Sequence, residues 1–249
     1  MNNGIIIGIA GIKNSGKDTA ASMLTYIFRN GTAANYRDWS IKYDTPNGIV
    51  ILPVVRCGDY LKDVLSELLN IKREYFDIRM CKDESWFALD TRLFITDEEV
   101  KKSKYYTIEP IHLTAKPFAD YINYNEGKCC IRLRTLMQYF GTDVIRRTIG
   151  ENVWRNKAIR DAKNIATKYG FCFIPDIRFN NEAEGVMKQL NGFVLRLYRD
   201  IDIVDNHESE RIDIKDDNID YAIDNNGSKL TLFHNLIKFK RYVDSKAKS

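Results

Sequence analysis

Apolar residues near the start of the chain predict a buried strand followed by a helix. Residues 4–10 (GIIIGIA) form a continuous apolar run, which is typical of a strand covered on both faces in a parallel sheet. Residues 19–28 (TAASMLTYIF) have helical spacing, and the Asn30-Gly31 pair predicts the end of that helix. A loop that contains glycine joins the two elements.

Strands and helices continue to alternate along the rest of the chain. Further strands are predicted over residues 49–55, 171–175, 192–198 and 219–223, with Pro53 indicating a strand end or an edge. Helices are predicted over 58–71, 131–140 (ending at Gly141), 143–149, 152–169, 180–190 and 228–243. This alternation predicts an α/β fold of three layers, α/β/α, around a mostly parallel sheet.

Two segments interrupt this regular pattern. Residues 72–130 are rich in Lys, Asp, Tyr and Phe and have few long periodic stretches, so we interpret them as a lobe inserted on the acceptor side of a single domain spanning 1–249. The polar segment 199–217 follows a predicted strand. Its part from Arg199 to Arg211 is equally well interpreted as a mobile lid that excludes water or as an ordinary exposed loop.

The composition is that of a folded protein with a real core. Of 249 residues, 44% are hydrophobic and 29% are charged, which excludes disorder as the main state. No apolar run reaches the length of a membrane span, and the N-terminus lacks the basic region and cleavage site of a signal peptide. Five scattered cysteines without a CxxC pair, together with three histidines, argue against zinc or disulfides. We therefore expect reduced thiols and a cytoplasmic location.

The charge balance bears on the partners. With 38 basic and 34 acidic residues the net charge is +4, and the two signs are interleaved along the chain. This excess is too mild to argue for nucleic-acid binding but suits a protein that handles small polyanions.

Residues 11–19 (GIKNSGKDT) carry the strongest chemical signal. They match the phosphate-binding pattern GxxxxGK[ST], except that Asp18 stands in the hydroxyl position and Thr19 follows it. Backbone N–H groups that lead into a helix N-terminus attract phosphates, and Lys17 adds a positive charge. The alternative is a plain strand–helix turn in which the Asp18 carboxylate stabilises the helix N-terminus. Either Thr19 holds the metal, or Asp18 does so directly or through water, or Asp18 contacts the acceptor. We favour Asp18 on the metal side, with Thr19 as a phosphate contact.

Residues 174–182 (IPDIRFNNE) form a second group at the predicted end of a buried strand. The carboxyl ends of strands in an open α/β sheet face the ligand crevice, so Asp176 could orient metal-bound water or an acceptor hydroxyl. Arg178 could bind a phosphate with two hydrogen bonds. The alternative is a surface ion pair between Asp176 and Arg178.

Residues 132–147 form a third group. Arg134 and Gln138 share one face of a predicted helix, and a cation beside an amide suits a phosphate and a base edge. Considered alone, this pattern is more often a solvated helix face. Trp154 is either a base-stacking residue or a core residue of its own helix.

Four segments together resemble the deoxynucleoside monophosphate kinases of large tailed bacteriophages. In chain order they are the GxxxSGKDT loop, the RxLMQxFGTDxxR segment followed by Trp154, the PDIRFxNEAE segment, and residues 205–210 (DNHESE). Residues 56–62 (RCGDYLK) are similar to that family's entry into a helix on the acceptor side. Residues 72–130 match poorly.

The resemblance implies transfer of the γ-phosphoryl group of ATP, with Mg²⁺, to a deoxynucleoside monophosphate, on a P-loop kinase fold. It places the donor phosphates and the metal against Gly11, Asn14, Ser15, Gly16, Lys17, Asp18 and Thr19. It places the acceptor among Arg134, Gln138, Gly141, Thr142, Trp154 and Glu182, and the catalytic junction at Lys17, Asp18, Asp176 and Arg178. Further arginines, Arg146, Arg147, Arg199 or Arg211, would close over the phosphates.

One position departs from the family pattern. Thr135 stands where we expect a second basic residue beside Arg134, which leaves open what completes the acceptor phosphate site. The resemblance also implies small-molecule nucleotides as partners, leaves a homodimer open, and would place a viral protein in the host cytoplasm.

Other functions remain open at this stage. A kinase of the same fold could act on dephospho-coenzyme A or phosphomevalonate, since loops of the GKD type are not confined to nucleotide kinases. A nucleic-acid-stimulated ATPase is a rival from another class, as is a protein in which the loop is only structural.

Overall fold

The computed structural model describes residues 4–44, 53–115, 118–200 and 212–247. By its internal contacts the chain divides into two compact units. The first unit combines Met1–Cys57 with Asn152–Ser249, and the second comprises Gly58–Glu151. The predicted insertion, 72–130, lies inside the second unit.

The elements within these ranges are as follows. The strands are β1 (Ile5–Ala10), β2 (Trp86–Ala88), β3 (Phe94–Ile95), β4 (Tyr106–Ile108), β5 (Cys129–Ile131), β6 (Phe171–Ile177), β7 (Gly192–Tyr198) and β8 (Tyr221–Asp224). The α-helices are α1 (Lys17–Asn30), α2 (Tyr36–Tyr43), α3 (Cys57–Leu69), α4 (Asp97–Ser103), α5 (Pro110–Ala115), α6 (Phe118–Tyr124), α7 (Leu133–Gln138), α8 (Val153–Tyr169), α9 (Asn180–Met187) and α10 (Lys229–Lys246). A π-helical turn covers Met80–Glu84, and a longer π-helix covers Tyr139–Ile149.

The first unit is built on a parallel sheet with strand order β6-β1-β7-β8. Val54 forms a further parallel bridge to Phe173 of β6, and Val55 donates its N–H to the Phe173 carbonyl at 2.8 Å. This bridge belongs to the strand predicted over 49–55, whose first residues lie outside the described part of the chain. The parallel sheet predicted from the apolar runs is confirmed.

Helices cover both faces of this sheet, because successive residues of each strand point to opposite sides. Ile7 and Ile9 of β1 pack with α1, α2 and α10 in one continuous core. On the opposite side, Gly8 lies so close to α9 that a Cβ there would meet Val186 at 3.2 Å. The buried face of α8 carries only alanines, Ala158, Ala162 and Ala166. The three-layer arrangement predicted from the sequence is confirmed.

The second unit has its own small mixed sheet with strand order β3-β2-β5-β4. Its core is formed by apolar residues of α3, the sheet and α7, including Leu65, Phe87, Ile131 and Leu133. The sequence pattern did not indicate this sheet, since its strands are only two or three residues long. Such strands are too short for alternation to be recognised.

Two predictions for this part of the chain are wrong. Ile131 belongs to β5 rather than to a helix, and the next helix begins at Leu133. Gly141 does not end a helix but lies buried inside the π-helix Tyr139–Ile149. A Cβ at Gly141 would meet Leu61 of α3 at 2.9 Å, so this glycine allows close packing instead of providing a left-handed cap.

The five cysteines form no disulfide. Burial raises the pKa of Cys130 and of Cys172 to about 12, so both thiols stay protonated and unreactive at neutral pH.

In the ranges given above, no helix is both long and apolar enough to span a membrane.

Gly192 opens β7 at a point of close backbone approach. A Cβ there would lie 1.8 Å from the Val186 carbonyl oxygen of α9, and a backbone atom cannot move aside as a flexible side chain does. We expect Gly192→Ala to lower the free energy of unfolding by about 3 kcal/mol, measured by urea denaturation. Gly58→Ala is the matched control, because nothing lies within 4 Å of a Cβ at Gly58. Equal stability of both variants would contradict this packing.

Candidate functional site

The glycine loop begins where β1 ends, at the carboxyl edge of the parallel sheet. Ala10, the last residue of β1, is in register with Ile177 of β6 on one side and Arg196 of β7 on the other. The loop therefore starts between two neighbouring strand ends, in the position where open α/β sheets bind ligands. It runs into α1, whose first residue is Lys17.

The loop backbone turns tightly through two residues of positive φ. Asn14 has φ 64° and Gly16 has φ 92°, while the Ser15 N–H donates to the Ile12 carbonyl at 3.1 Å. Alternation of this kind aligns successive backbone N–H groups into an anion-binding concavity. Gly11 is required by space, since a Cβ there would lie 2.3 Å from the Ser15 Oγ.

Lys17 folds back over the loop that precedes it. Its ammonium donates to the Gly11 and Ile12 carbonyls, each at 2.7 Å, and the residue is only 7% exposed. These two uncharged carbonyls are among the contacts that hold the long Lys17 side chain over the loop. A phosphate oxygen would form a stronger, charge-assisted hydrogen bond with the same ammonium.

The Ser15 hydroxyl is fully buried and has no hydrogen-bond partner among the described residues. Buried polar atoms are rarely left without a partner, because desolvation costs about 1–3 kcal/mol when no hydrogen bond compensates it. An orphan hydroxyl inside a glycine loop is the feature expected where an anionic ligand supplies the missing partner.

Asp18 and Thr19 occupy the first turn of α1. Asp18 is exposed, and its Oδ1 accepts hydrogen bonds from Arg56 at 2.9 and 3.3 Å. Thr19 is half-buried. A carboxylate and a hydroxyl are suitable ligands for Mg²⁺, which typically takes one or two protein carboxylates and completes its shell with substrate phosphates and water. Arg56, which precedes α3, is a neighbour of Asp18 that the local motif did not reveal.

The second predicted group lies at the end of β6, in the same unit as the loop. Asp176 is the penultimate residue of β6 and Arg178 follows the strand directly. The register of Ala10 with Ile177 brings this end of β6 beside the start of the glycine loop. Sequence reasoning placed both residues at a strand end, and the structure gives them that position.

Glu182 has a role that the sequence did not indicate. Its carboxylate is buried, and one oxygen accepts the backbone N–H groups of Arg178 at 2.9 Å and Phe179 at 3.1 Å. These bonds cap the N-terminus of α9 and fix the backbone that carries Arg178.

Asn225 lies beside the glycine loop although it is 210 residues away in sequence. Its side-chain amide donates to the Ser15 carbonyl at 2.8 Å, and the residue is buried. Arg199, at the end of β7, reaches the Asn14 carbonyl at 3.4 Å. No local motif marks either contact, because both depend on the sheet order, in which β7 lies next to β1 and β8 lies next to β7.

The second unit holds most of the predicted acceptor residues. Arg134 and Gln138 lie on the same short helix, α7, whose Leu133 and Leu136 are buried in the core as predicted. The Arg134 guanidinium binds both carboxylate oxygens of Asp83, with Nε–Oδ1 at 2.5 Å and Nη2–Oδ2 at 3.3 Å. Asp83 is thus a further residue of this group that the sequence did not single out.

The remaining acceptor residues divide between the units. Gly141 and Thr142 are buried in the π-helix that follows α7. In the same π-helix, Arg147 pairs with Asp143. Trp154 belongs to α8 of the first unit, where it is half-buried.

Thr135 is buried against the core of the second unit, so it does not contribute a polar contact at the surface of α7. A second cation is nevertheless present: Lys82, next to Asp83 in the π-helical turn. Lys82 is half-buried, and its ammonium has no hydrogen bond or ion pair within the described residues. Burial lowers its pKa, nearby Arg134 and Lys62 lower it further, and Asp83 and Asp77 oppose them.

The predicted lid, 199–217, falls partly outside the described part of the chain. Residues 201–211, which include Arg211 and the DNHESE segment, lie outside the described part of the chain. The lid therefore stays a prediction. Where the structure describes side chains, it contains no group of three or more His, Cys, Asp or Glu residues arranged to hold a metal.

Comparison with known proteins gives one result. A family model described as deoxynucleotide monophosphate kinase matches residues 66–236, more than half of the chain. The match includes the Arg134 and Asp176 groups and begins after the glycine loop. The search of curated proteins gave no significant match.

Proposed function

Because the chain belongs to the deoxynucleotide monophosphate kinase family, we propose that it transfers the γ-phosphoryl group of ATP to a deoxynucleoside 5′-monophosphate, giving the diphosphate for DNA precursor synthesis. The single observation that carries the choice of donor is the glycine loop with Lys17 folded over its carbonyls. The orphan Ser15 hydroxyl supports the same assignment.

In this proposal the loop binds the donor through its backbone. The N–H groups around Gly16 and the N-terminal end of α1 attract the phosphates, and the buried Ser15 hydroxyl gains an acceptor. Lys17 exchanges two neutral carbonyl partners for phosphate oxygens, which gives it stronger bonds as negative charge moves toward the leaving group.

Asp18 and Thr19 would hold Mg²⁺ together with the phosphates, and the ion when bound would neutralise phosphate charge. The contact with Arg56 occupies one oxygen of Asp18 and so orients the carboxylate. Arg178, whose backbone N–H is fixed by Glu182, would bind the transferred group. Asp176 would orient the acceptor or a metal-bound water. Phosphoryl transfer needs mainly positioning and charge neutralisation, which such residues supply.

On the acceptor side, we propose that Arg134 binds the 5′-phosphate and that Lys82 provides the second positive charge. Asp83 directs the Arg134 guanidinium but cancels one positive charge. With Lys82 included, the group keeps a net charge of +1, from two cations and one carboxylate, and can attract a phosphate. Gln138, Gly141, Thr142 and Trp154 remain the proposed contacts for the nucleoside.

Lys82 gives a prediction that depends on pH. Since burial lowers its pKa below the ordinary 10.5, the charged form costs stability at all pH values below the folded-state pKa. This cost disappears as pH rises through that pKa and is gone above 10.5. We expect Lys82→Met to raise the Tm at pH 7, to lose this advantage above pH 10.5, and to raise the acceptor KM by about tenfold.

Lys82→Arg, which stays charged throughout, separates the two effects. It should keep an acceptor KM close to that of the wild-type protein, and the difference in Tm between Lys82→Arg and Lys82→Met should not vary with pH. An acceptor KM that is unchanged in Lys82→Met would remove Lys82 from the acceptor site.

An acceptor panel tests the proposed reaction. ADP release would be followed with ATP, Mg²⁺ and each ribo- and deoxyribonucleoside monophosphate, and separately with dephospho-coenzyme A, phosphomevalonate or DNA. We expect turnover with deoxynucleoside monophosphates and no stimulation of ATP hydrolysis by DNA. Turnover only with a non-nucleotide acceptor would overturn the proposal.

A further inference from the structure

Residues that follow β7 and β8 donate hydrogen bonds to carbonyls of the glycine loop. The Asn225 side-chain amide donates to the Ser15 carbonyl at 2.8 Å, and Asn225 is only 7% exposed. Asn225 follows β8 directly, and its own N–H donates to the Tyr198 carbonyl of β7 at 2.8 Å. The amide therefore reaches the loop from a backbone that is itself fixed.

The next residue, Asn226, makes separate hydrogen bonds. Asn226 and Asp200 bind each other twice: the Asp200 N–H donates to the Asn226 Oδ1, and the Asn226 Nδ2 donates to the Asp200 Oδ2, each at 2.9 Å. These bonds join the segments after β7 and β8 and do not involve Ser15, whereas Asn225 is held by its own bond to Tyr198.

The hydrogen bond to Ser15 has a directional consequence for the loop. In a trans peptide the carbonyl and the N–H of the same plane point in opposite directions. Tying the Ser15 carbonyl to Asn225 therefore turns the Gly16 N–H, which shares that plane, away from Asn225 and toward the opposite side of the loop. This N–H is one of the donors expected to face a phosphate.

Packing at Gly16 supports the same arrangement. A Cβ at Gly16 would lie 2.6 Å from the Asn225 Nδ2, so the amide occupies the space where a side chain would otherwise stand. Gly16 has φ 92°, a left-handed conformation that suits glycine. The backbone conformation and the space taken by the Asn225 amide therefore both require glycine at this position.

We propose that Asn225 is a positioning residue for the phosphoryl donor, holding the Ser15–Gly16 peptide plane in the orientation that presents the Gly16 N–H to phosphate. The inference rests on the proposed use of ATP as donor. Asn225 acts through the loop rather than by touching the nucleotide. Aspartate at this position would place an acceptor against the Ser15 carbonyl and add a negative charge near the phosphates.

The test compares Asn225→Ala and Asn225→Asp with Asn226→Ala, a neighbouring asparagine that bonds to Asp200 instead of the loop. Steady-state kinetics with ATP and a deoxynucleoside monophosphate would be combined with Tm and with titration of a fluorescent ATP analogue. We expect the KM for ATP to rise about tenfold in Asn225→Ala and about 100-fold in Asn225→Asp. The acceptor KM should stay within about twofold of the wild-type value.

Asn226→Ala should keep the wild-type KM for ATP. An unchanged KM for ATP in both Asn225 variants would overturn the inference. So would an equal rise of both KM values accompanied by a fall in Tm, since that result indicates a purely structural role. If the wild-type protein does not phosphorylate deoxynucleoside monophosphates, the proposed function fails. Titration with the ATP analogue needs no acceptor and still decides whether Asn225 supports donor binding.

Discussion

Lys17→Met is expected to lower kcat for phosphorylation of deoxynucleoside monophosphates by about 1000-fold. The reason is that the substitution removes a positive charge that stabilises the phosphoryl group during its transfer. Methionine keeps the unbranched stem and loses only the ammonium that now binds the Gly11 and Ile12 carbonyls. Because the removed bonds are to backbone atoms in a short loop, we expect little change in Tm. Steady-state kinetics and thermal denaturation of the same preparations measure both quantities.

Lys13→Met is the matched control for this variant. Lys13 lies in the same loop with its side chain exposed, so its removal changes the net charge equally without touching the proposed phosphate position. Its kcat should remain within about twofold of the wild-type value. Comparable losses in both variants would show that general charge, and not the position of Lys17, supports the reaction.

Arg134→Met raises the KM for the acceptor by about 100-fold, because two charge-assisted hydrogen bonds to one phosphate are lost together. The KM for ATP should not change. The substitution also leaves the Asp83 carboxylate without its guanidinium partner in a place where both side chains are less than a quarter exposed. We therefore expect a lower Tm in addition to the kinetic effect.

The double variant Arg134→Met with Asp83→Asn separates binding from stability. Removing the carboxylate should restore most of the Tm but none of the acceptor affinity. Arg79→Met, which removes a largely exposed arginine paired with Glu84 in the same unit, should leave both quantities unchanged. Recovery of acceptor affinity in the double variant would show that Arg134 serves only to neutralise Asp83.

The parts of the fold that the sequence predicts are those with a local signature. The run at residues 4–10 and the glycine loop lie next to each other in sequence and in space, so their pattern was sufficient to predict β1, the turn and α1. The same holds for β6 and for the position of Asp176 at its end. β7 was predicted over the residues that form it, 192–198.

What the sequence did not reveal depends on contacts between distant segments. Asn225 reaches Ser15 only because β8 lies next to β7, and Asp83 meets Arg134 across 51 residues. No local pattern distinguishes Lys82 from the other charged residues of the irregular segment 72–130. Because glycine is common at helix ends, the local pattern predicts a helix end at Gly141, whereas the role of Gly141 follows from Leu61 on another helix. Tertiary packing, which a local pattern does not contain, decides each of these cases.

The most direct test of the central claim follows the phosphoryl group itself. The wild-type chain would be incubated with Mg²⁺, a deoxynucleoside monophosphate and ATP labelled in its γ-phosphoryl group, and the products separated by ion-exchange chromatography. We predict that the label appears in the deoxynucleoside diphosphate in equal amount to the ADP formed, and that Lys17→Met slows this transfer by about 1000-fold. Label released only as inorganic phosphate, with no labelled diphosphate for any deoxynucleotide, would contradict the account.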